Sequence, residues 1–496
     1  MKKAIWCVVL VLTCANLGMA GEPVTAVVID SGSDFTHPLL APLARPNLAE
    51  LRGQPGVDDD GNGYVDDVYG WNFPDNCATL VDLSKTPPAY DRVIETLRLL
   101  NILQAYGKEA LKPEEFQTLL KNYQDQQFWP WVEFTGGWAH GTHCAGILST
   151  ENPGVRLNAI THLPAGQAPE QMAQAAIAQI RHRRLHARPR RQAAARATRV
   201  EARPAAAPDA AAPAAAEPVS LAELKLLFTQ LGQEYAAQIR KEAAYLGALA
   251  PRVANCSFGS ENAALLAVFK QNMVEEWGWT NPTDQEVQQV VNLFVEKVLL
   301  VRDKALFAGS PKTLYCIAAG NSGDCLEEIV VSPNDVDIPN KLVVAATLEN
   351  KKLADFSCYG KTKVDVAVPG VNIYATFPNN KMGYMSGTSM ACPMAARFAT
   401  QVLQEHPGLS AVEVKKILMG TVDKKDWLAD KVVSGGVVNP RRAVHAAGLV
   451  KQGKSLDEAI AEARQAVPDM TIRRSPYKGP DLSDKLIRDL YFSAVF

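Results

Sequence analysis

Long apolar runs are absent from the chain after its first twenty residues. A helix that crosses a membrane needs about 20 consecutive apolar residues, so no membrane-spanning segment is expected in the rest of the chain. An excess of one charge is also lacking, because 51 Lys and Arg stand against 53 Asp and Glu and give a formal net charge of -2. Proteins that bind nucleic acid through a basic surface carry a marked positive excess. The composition therefore predicts neither a membrane span nor a nucleic-acid partner.

Closely paired cysteines of the C-x-x-C type are missing as well. Two of the nine cysteines fall in the first twenty residues, and the other seven are Cys77, Cys144, Cys256, Cys316, Cys325, Cys358 and Cys392. An odd number leaves at least one unpaired thiol in a monomer, and the spacing does not fit a zinc site. We expect structural thiols, with room for one disulfide that the sequence does not assign.

The first twenty residues have the anatomy of a signal peptide. Lys2 and Lys3 precede an apolar run from residue 4 to residue 12, and small residues end the segment at Ala20. This run is too short to span a bilayer. We therefore expect residues 1–20 to be removed and the protein to be exported to the periplasm or secreted. Lipoprotein processing at Cys14 is a weaker alternative, because Thr13 is a poor residue before a lipidated cysteine.

Short apolar runs rich in β-branched residues alternate with stretches of helical character. Such runs occupy residues 25–29, 313–319 and 341–346. Runs that are apolar throughout are typical of parallel strands buried on both faces, so the pattern predicts an α/β fold with a mainly parallel sheet flanked by helices. Reactive side chains in such sheets lie at the carboxyl ends of strands, where Asp30 and Asn321 are found.

Three segments are expected to be insertions. Residues 74–130 and 261–308 have helical patterns without a strand signal, whereas residues 184–218 pass from a basic stretch into Ala/Pro repeats. Such repeats bury too little apolar surface to offset their ordering entropy, so 184–218 is predicted to be a disordered linker. Its basic part is interpreted as a solvated tether. A site for nicking during maturation and a contact for an anionic partner are the alternatives.

Three blocks of sequence carry a candidate site. Taken singly, Asp30 could be a buried structural carboxylate, His140 and His143 could bind a metal, and Ser389 could be a helix N-cap. In this order, however, the three blocks resemble the signatures of the subtilisin-like (S8) serine peptidases. The blocks are Val28-Ile29-Asp30-Ser31-Gly32, His140-Gly141-Thr142-His143-Cys144-Ala145-Gly146 and Gly387-Thr388-Ser389-Met390-Ala391-Cys392-Pro393.

This resemblance implies a three-layer subtilisin-like fold over residues 21–449, followed by a C-terminal extension at 450–496. It also implies a serine endopeptidase that works through an acyl-enzyme intermediate, with Asp30, His140 and Ser389 as the catalytic triad. A serine hydroxyl needs a neighbouring base, an imidazole can supply it, and a carboxylate orients the imidazole. Ser389 is expected to open a helix, with Pro393 in the first turn.

Further blocks extend the resemblance to the binding cleft. Ala318-Ala319-Gly320-Asn321 resembles the oxyanion-hole block of the family, which makes Asn321 the expected side-chain donor. Ser257, Phe258 and Gly259, together with Ala319 and Gly320, are the expected substrate-binding residues. Peptides in this family bind as an added strand, so protein or peptide substrates are expected. The enzyme is also expected to be a monomer. No acidic residue lies in these motifs, which favours an apolar or broad preference at the S1 pocket.

The run from Asp58 to Asp67 predicts a structural calcium site. Asp58, Asp60, Asn62 and Asp66 place oxygen ligands at intervals around a glycine turn, as Ca²⁺ prefers, and related peptidases carry a similar run. An Asx-rich turn that binds nothing is the alternative. No cofactor is expected for catalysis itself.

Two other functions are compatible with parts of the sequence. The chain could be an exported peptide-binding protein on a peptidase fold whose insertions suppress activity, or a metal-dependent hydrolase that uses His140 and His143. The first has no need for a complete triad, and the second leaves Ser389 unexplained.

The family usually carries a propeptide after the signal, yet only nine residues separate Ala20 from Asp30, so none is expected at this end.

Overall fold

The structure is a computed structural model that describes residues 23–162, 173–174, 177–178 and 218–470. The predicted signal peptide at 1–20 lies outside the described residues. So do nearly all of the predicted linker at 184–218 and the last part of the predicted extension at 450–496.

A ten-stranded sheet forms the centre of the molecule, and a separate hairpin lies beside it. The sheet contains β1 (Val24–Asp30), β2 (Gly70–Asn72), β3 (Val155–Thr161), β4 (Val253–Cys256), β5 (Leu314–Ala318), β6 (Lys341–Leu348), β7 (Lys352–Leu353), β8 (Val366–Pro369), β11 (Asp423–Lys424) and β12 (Gly436–Val437), and the hairpin contains β9 (Ile373–Phe377) and β10 (Lys381–Met385). The order is β11-β12-β8-β6-β5-β4-β1-β3-β2, with β7 beside β6. Only the β11–β12 and β6–β7 pairs of this sheet are antiparallel.

Helices cover both faces of the sheet. They span Leu48–Arg52, Tyr90–Tyr106, Pro113–Gln124, Trp129–Ser149, Leu221–Gln238, Arg240–Leu249, Asn262–Glu275, Asp284–Phe294, Leu300–Phe307, Thr388–Glu405, Ala411–Gly420, Pro440–Lys451 and Leu456–Ala466, with a π-helical turn at Val295–Leu299. Alternate residues of β1 face the two layers: Val28 joins the core that contains Trp138, whereas Val27 joins the core that contains Leu246. The predicted three-layer α/β fold with a mainly parallel sheet is therefore confirmed.

The segments predicted to be helical insertions do contain helices. Residues 74–130 hold Tyr90–Tyr106 and Pro113–Gln124. Within 261–308, the helix Asp284–Phe294 packs with Leu221–Gln238 and Asn262–Glu275 around a third core. Its centre is a trio of aromatic rings, in which Phe294 lies 5.4 Å from Phe228 and 5.0 Å from Phe269.

The described part of the predicted C-terminal extension packs on the rest of the molecule. The helix Leu456–Ala466 buries Ala459 and Ala463, and Arg442 forms ion pairs with Asp469 and Asp423. The helix Pro440–Lys451 runs across the predicted domain limit at residue 449. The limits of the domain remain a prediction.

The described part of the chain bears on the expectations about membrane-spanning helices and about cysteines. None of its helices is both long and apolar enough to cross a bilayer. Its seven cysteines are all free thiols, and five of them are buried.

Candidate active site

The carboxyl ends of neighbouring parallel strands bring the predicted residues to one edge of the sheet. β1 pairs with β3 on one side and with β4 on the other, and β4 pairs with β5. Asp30 is the last residue of β1, Ser257 follows β4 directly, and Asn321 comes three residues after β5. The chain runs from β1 to β3 on one side and then to β4 on the other, and open α/β sheets place their sites at such a change of direction.

Asp30 and His140 are in direct contact. The Nδ1 atom of His140, on the helix Trp129–Ser149, lies 2.7 Å from Oδ1 of Asp30, and both side chains are buried. This approach needs glycine on both segments. A Cβ atom on Gly141 would lie 2.2 Å from the carbonyl oxygen of Gly32, and Gly32 itself has a φ of +107°. The two glycines let the helix backbone touch the loop after β1.

The contact with Asp30 changes the acidity of His140. Burial by itself disfavours the imidazolium and lowers the pKa of His140, but the charge of Asp30 and its hydrogen bond outweigh this effect. The net result is a pKa raised above the ordinary histidine value. The Nδ1–H group of His140 donates to the carboxylate, which fixes the tautomer that leaves Nε2 to act as a base.

Ser389 occupies the second position of the helix Thr388–Glu405. Pro393 is the sixth residue of this helix, so the expectation that it lies in the first turn is wrong. Because proline has no N–H group, the carbonyl of Ser389 lacks its usual intrahelical donor. That carbonyl instead accepts from Ser257 Oγ at 3.0 Å and lies 3.4 Å from Cys144 Sγ, while Ser389 Oγ donates to Ser257 O at 3.3 Å.

Cys144 lies between the histidine and the serine. Its sulfur is 3.9 Å from His140 Nδ1 and 3.4 Å from Ser389 O. Burial, followed by the charge of Asp30, raises the pKa of the Cys144 thiol well above its ordinary value, so the sulfur is a neutral packing group. Asp30, His140 and Ser389 therefore belong to one buried cluster.

Asn321 is held against the start of the serine-bearing helix. Its Oδ1 atom accepts from the Thr388 N–H at 2.8 Å and from Thr388 Oγ1 at 2.9 Å. Because a backbone N–H is a donor only, this bond fixes the orientation of the amide and leaves the Nδ2 group as a donor beside Ser389. Sequence reasoning did not single out Thr388. Its position directly before Ser389 was the available signal.

The predicted substrate-binding residues lie on two adjacent segments. Ser257, Phe258 and Gly259 follow β4, whereas Ala319 and Gly320 follow β5, and these strands are neighbours in the sheet. The ring of Phe258 lies 4.8 Å from that of His162, while Gly320 has a φ of +111° and donates its N–H to Thr388 Oγ1 at 3.1 Å. Ser257 therefore contacts Ser389 and Gly320 contacts Thr388, so both segments meet the start of the serine-bearing helix.

A family model described as the subtilase family, peptidase S8, matches residues 21–438. The chain belongs to the subtilase family. The three blocks that carry Asp30, His140 and Ser389 all fall within the matched residues.

Several known subtilases are similar to parts of this one. Subtilisin DY of Bacillus licheniformis is 36% identical over 146 residues, which cover 28% of this chain and 49% of the relative. Serine protease AprX of Bacillus subtilis is 32% identical over 164 residues, or 28% of this chain and 36% of the relative. Subtilisin-like protease 1 of Plasmodium vivax is 24% identical over 430 residues, or 85% and 47%. The matched part is about half of each relative's length or less.

Solved structures of two related proteins also align with this subtilase. A cold-adapted subtilisin-like serine proteinase aligns with 83% of this chain and 89% of its own, at 16% identity and a TM-score of 0.39. A structure of the subtilase cytotoxin SubAB aligns with 87% of this chain and 93% of its own, at 16% identity and a TM-score of 0.41.

The second histidine of the subtilase block lies apart from Asp30. His143 Nε2 lies 3.1 Å from the carbonyl oxygen of Ile373 in β9, and its ring meets the edge of Phe377 at 5.5 Å. Burial and the neighbouring charge of His140 lower the pKa of His143 to about 3, so the ring is neutral. His143 thus joins the hairpin to the helix, and a metal site shared by His140 and His143 has no support.

The predicted calcium residues of the subtilase do not all converge. Asp58 accepts from the backbone N–H groups of Asn62 and Gly63, and Asp66 accepts from the Gly56 N–H. Oxygen atoms of Glu50, Asp60 and Asp67 lie within 4.8 Å of one another. Of the four predicted ligands, Asp60 belongs to that group, and Asn62 donates hydrogen bonds to Asp60 and Asp67.

The raised pKa of His140 predicts a specific response to removal of Asp30. In the wild type, we expect the ring to titrate above about 6.5, the ordinary histidine value. Asp30→Asn should lower this pKa, because the burial that opposes the charged ring remains and the attracting carboxylate is lost. A pH titration followed by NMR on histidine-labelled protein measures the pKa of His140 in the wild type and in the variant. An unchanged titration of His140 in Asp30→Asn would contradict the electrostatic account.

Proposed function

We propose that this subtilase is a serine endopeptidase that hydrolyses peptide bonds through an acyl-enzyme intermediate. The observation that carries the proposal is the 2.7 Å contact between His140 Nδ1 and Asp30 Oδ1, made in the buried cluster that also holds Ser389. A base oriented by a carboxylate, in the same buried cluster as a serine at a helix start, supports nucleophilic acyl transfer.

In the proposed reaction, Ser389 is the nucleophile. His140 accepts the hydroxyl proton as Ser389 Oγ attacks the carbonyl carbon of the scissile bond, and then gives that proton to the leaving amine. Water attacks the resulting ester in the second half of the reaction, with His140 again as the base. Asp30 stabilises the imidazolium that forms in each half, which is consistent with the raised pKa of His140. Since the neutral ring is the base, turnover should rise with pH through that pKa.

Two donors are proposed to stabilise the tetrahedral intermediate. The Nδ2 group of Asn321 is one, because its Oδ1 is already taken by Thr388. The backbone N–H of Ser389 is the other, since it lies in the first turn of a helix, where N–H groups lack intrahelical partners. Donors fixed before the reaction stabilise the oxyanion without having to reorganise.

Protein or peptide substrates are proposed to bind in an extended form between the segments that follow β4 and β5. Ser257, Phe258 and Gly259 would form one wall of the S1 pocket, and Ala319 and Gly320 the other. Backbone hydrogen bonds to such segments supply affinity, whereas the pocket supplies preference. An apolar or broad preference is proposed, because no acidic residue lies in these segments. Export through residues 1–20 and a monomeric state remain predictions.

Labelling with a fluorophosphonate probe tests the proposed activity. Folded wild-type protein should be labelled at Ser389, and Ser389→Ala should lose the label together with peptide hydrolysis. The expected loss of turnover is about 10⁶-fold, the scale known for removal of the nucleophile in subtilisin itself. Ser149→Ala is a matched control, because its hydroxyl donates to Gly146 O at 2.9 Å at the end of the histidine-bearing helix and takes no part in the proposed site. A folded wild type that takes up no probe would favour the peptide-binding alternative.

We further propose that the loop around Asp60 binds a structural Ca²⁺ ion through Glu50, Asp60 and Asp67. These are hard oxygen donors of the kind that Ca²⁺ prefers. Burial, together with the charge of Asp60, raises the pKa of Asp67 although Tyr245, Asn47 and Asn62 donate hydrogen bonds to it. A divalent cation would compensate for this crowding of negative charge.

Chelation tests the calcium proposal through stability. EDTA should lower the unfolding midpoint by about 5 °C, and added Ca²⁺ should restore it, because an ion that binds only the folded state stabilises that state. Asp67→Asn should weaken the response, whereas Asp58→Asn should keep it, since Asp58 is not one of the three carboxylates that lie together. Thermal unfolding followed by circular dichroism measures the midpoint. A midpoint that does not depend on calcium would contradict the proposal.

A further inference from the structure

A buried asparagine interrupts the apolar face of the helix Tyr90–Tyr106. Asn101 is fully buried, and its neighbours Leu99, Leu100 and Leu103 are buried as well. A buried amide that lacks partners destabilises a protein, so the partners that Asn101 binds indicate what it does.

The Asn101 side chain binds the segment that leads into the serine-bearing helix. Its Nδ2 group donates to Tyr384 O at 2.9 Å and to Leu97 O at 2.7 Å, while its Oδ1 accepts from Ser386 Oγ at 2.6 Å. Ser386 Oγ in turn accepts from the Asn372 N–H at 2.7 Å. One amide therefore fixes both residues 384 and 386, just before the helix start at Thr388.

The same helix also touches the far end of the β9–β10 hairpin, but these contacts are weaker. Asp91 pairs with Lys381 at 2.8 Å with both side chains exposed, and the Tyr90 hydroxyl donates to Pro378 O at 3.3 Å. Exposed ion pairs contribute little to stability. The contacts of Asn101 with Tyr384 and Ser386, at 2.9 and 2.6 Å, lie next to the start of the serine-bearing helix.

We propose that Asn101 is a positioning residue for the nucleophile, and this inference rests on the proposed function. Asn101 holds the backbone at Tyr384 and the hydroxyl of Ser386, and Ser389 follows Ser386 by three residues. A shift of the 384–386 segment moves Ser389 relative to His140 and Asn321. Misplacement of a reacting group by about 1 Å costs about 100-fold in rate. The helical segment 74–130 is therefore part of the apparatus that positions the site.

The test compares two buried asparagines of this segment. Asn101→Leu removes the hydrogen bonds that hold residues 384 and 386. Asn122→Leu is the matched control, because Asn122 is equally buried but binds Thr96 and Arg92, within the segment itself. A small fluorophosphonate, which reports on the nucleophile rather than on extended substrate contacts, measures the labelling rate at a temperature where each variant is folded.

Asn101→Leu should label about 10- to 100-fold more slowly than the wild type, whereas Asn122→Leu should stay within about twofold. On a peptide substrate, the Asn101 variant should lose kcat with little change in KM. Ser386→Ala removes the hydrogen bond between Ser386 and Asn101, and it provides a second variant if Asn101→Leu does not fold. The Asn101→Leu and Ser386→Ala effects should be less than additive, because both act through one contact.

The outcomes separate this inference from the proposed function. A labelled wild type, with Asn101→Leu and Ser386→Ala both as fast as Asn122→Leu, would overturn the positioning role and leave the peptidase proposal intact. A folded wild type that does not react with the probe would overturn both. Slower labelling by the Asn101 or Ser386 variant alone, at equal stability to the control, supports the role.

Discussion

The hydrogen bond between Asp30 and His140 depends on a helix and a loop coming into backbone contact. Gly141 and Gly32 make that approach sterically feasible, and the Ser31 hydroxyl reinforces it by donating to Gly137 O at 2.6 Å. The bond buries a carboxylate together with the imidazole that offsets its desolvation. The position of the histidine-bearing helix, and hence of the hairpin and helices packed on it, follows from this contact.

The β9–β10 hairpin connects the parts of the site that the sheet does not. Thr376 Oγ1 in β9 donates to Thr142 O at 2.7 Å, next to His143, which contacts Ile373 O. At the other end, the hairpin is held by Asn101 and then leads into the helix that carries Ser389. Two helices thus bind the hairpin, one at β9 and one at β10, so their packing bears on the geometry around Ser389.

The strands, and the site residues at their carboxyl ends, could be predicted from the sequence because the relevant signals are local. The run before Asp30 is apolar throughout, and its carboxyl end places Asp30 at the edge of a parallel sheet. Pairings between distant segments carry no such signal. Asn101 and Ser386 are 285 positions apart, and nothing in their spacing indicates contact. The same holds for Glu50, which lies before the acidic run yet accepts the N–H groups of Asp59 and Asp66.

The early expectation for Pro393 failed for a related reason, since its position in the helix depends on where that helix starts. The helix starts at Thr388, so Pro393 is its sixth residue, and Ser389 O, four residues earlier, is left without its usual donor. The same carbonyl then contacts Ser257 and Cys144, which tightens the cluster around the nucleophile. A proline that would weaken an ordinary helix thereby frees a polar group for use in the site.

We propose that Asp30, His140 and Ser389 act as a single unit. A double-mutant cycle, measured on peptide hydrolysis, tests this proposal most directly. His140→Ala, Ser389→Ala and the double variant should lose nearly the same turnover, because removal of either member already disables the unit. Losses that add in the double variant would show that the two side chains act independently, and would contradict the account.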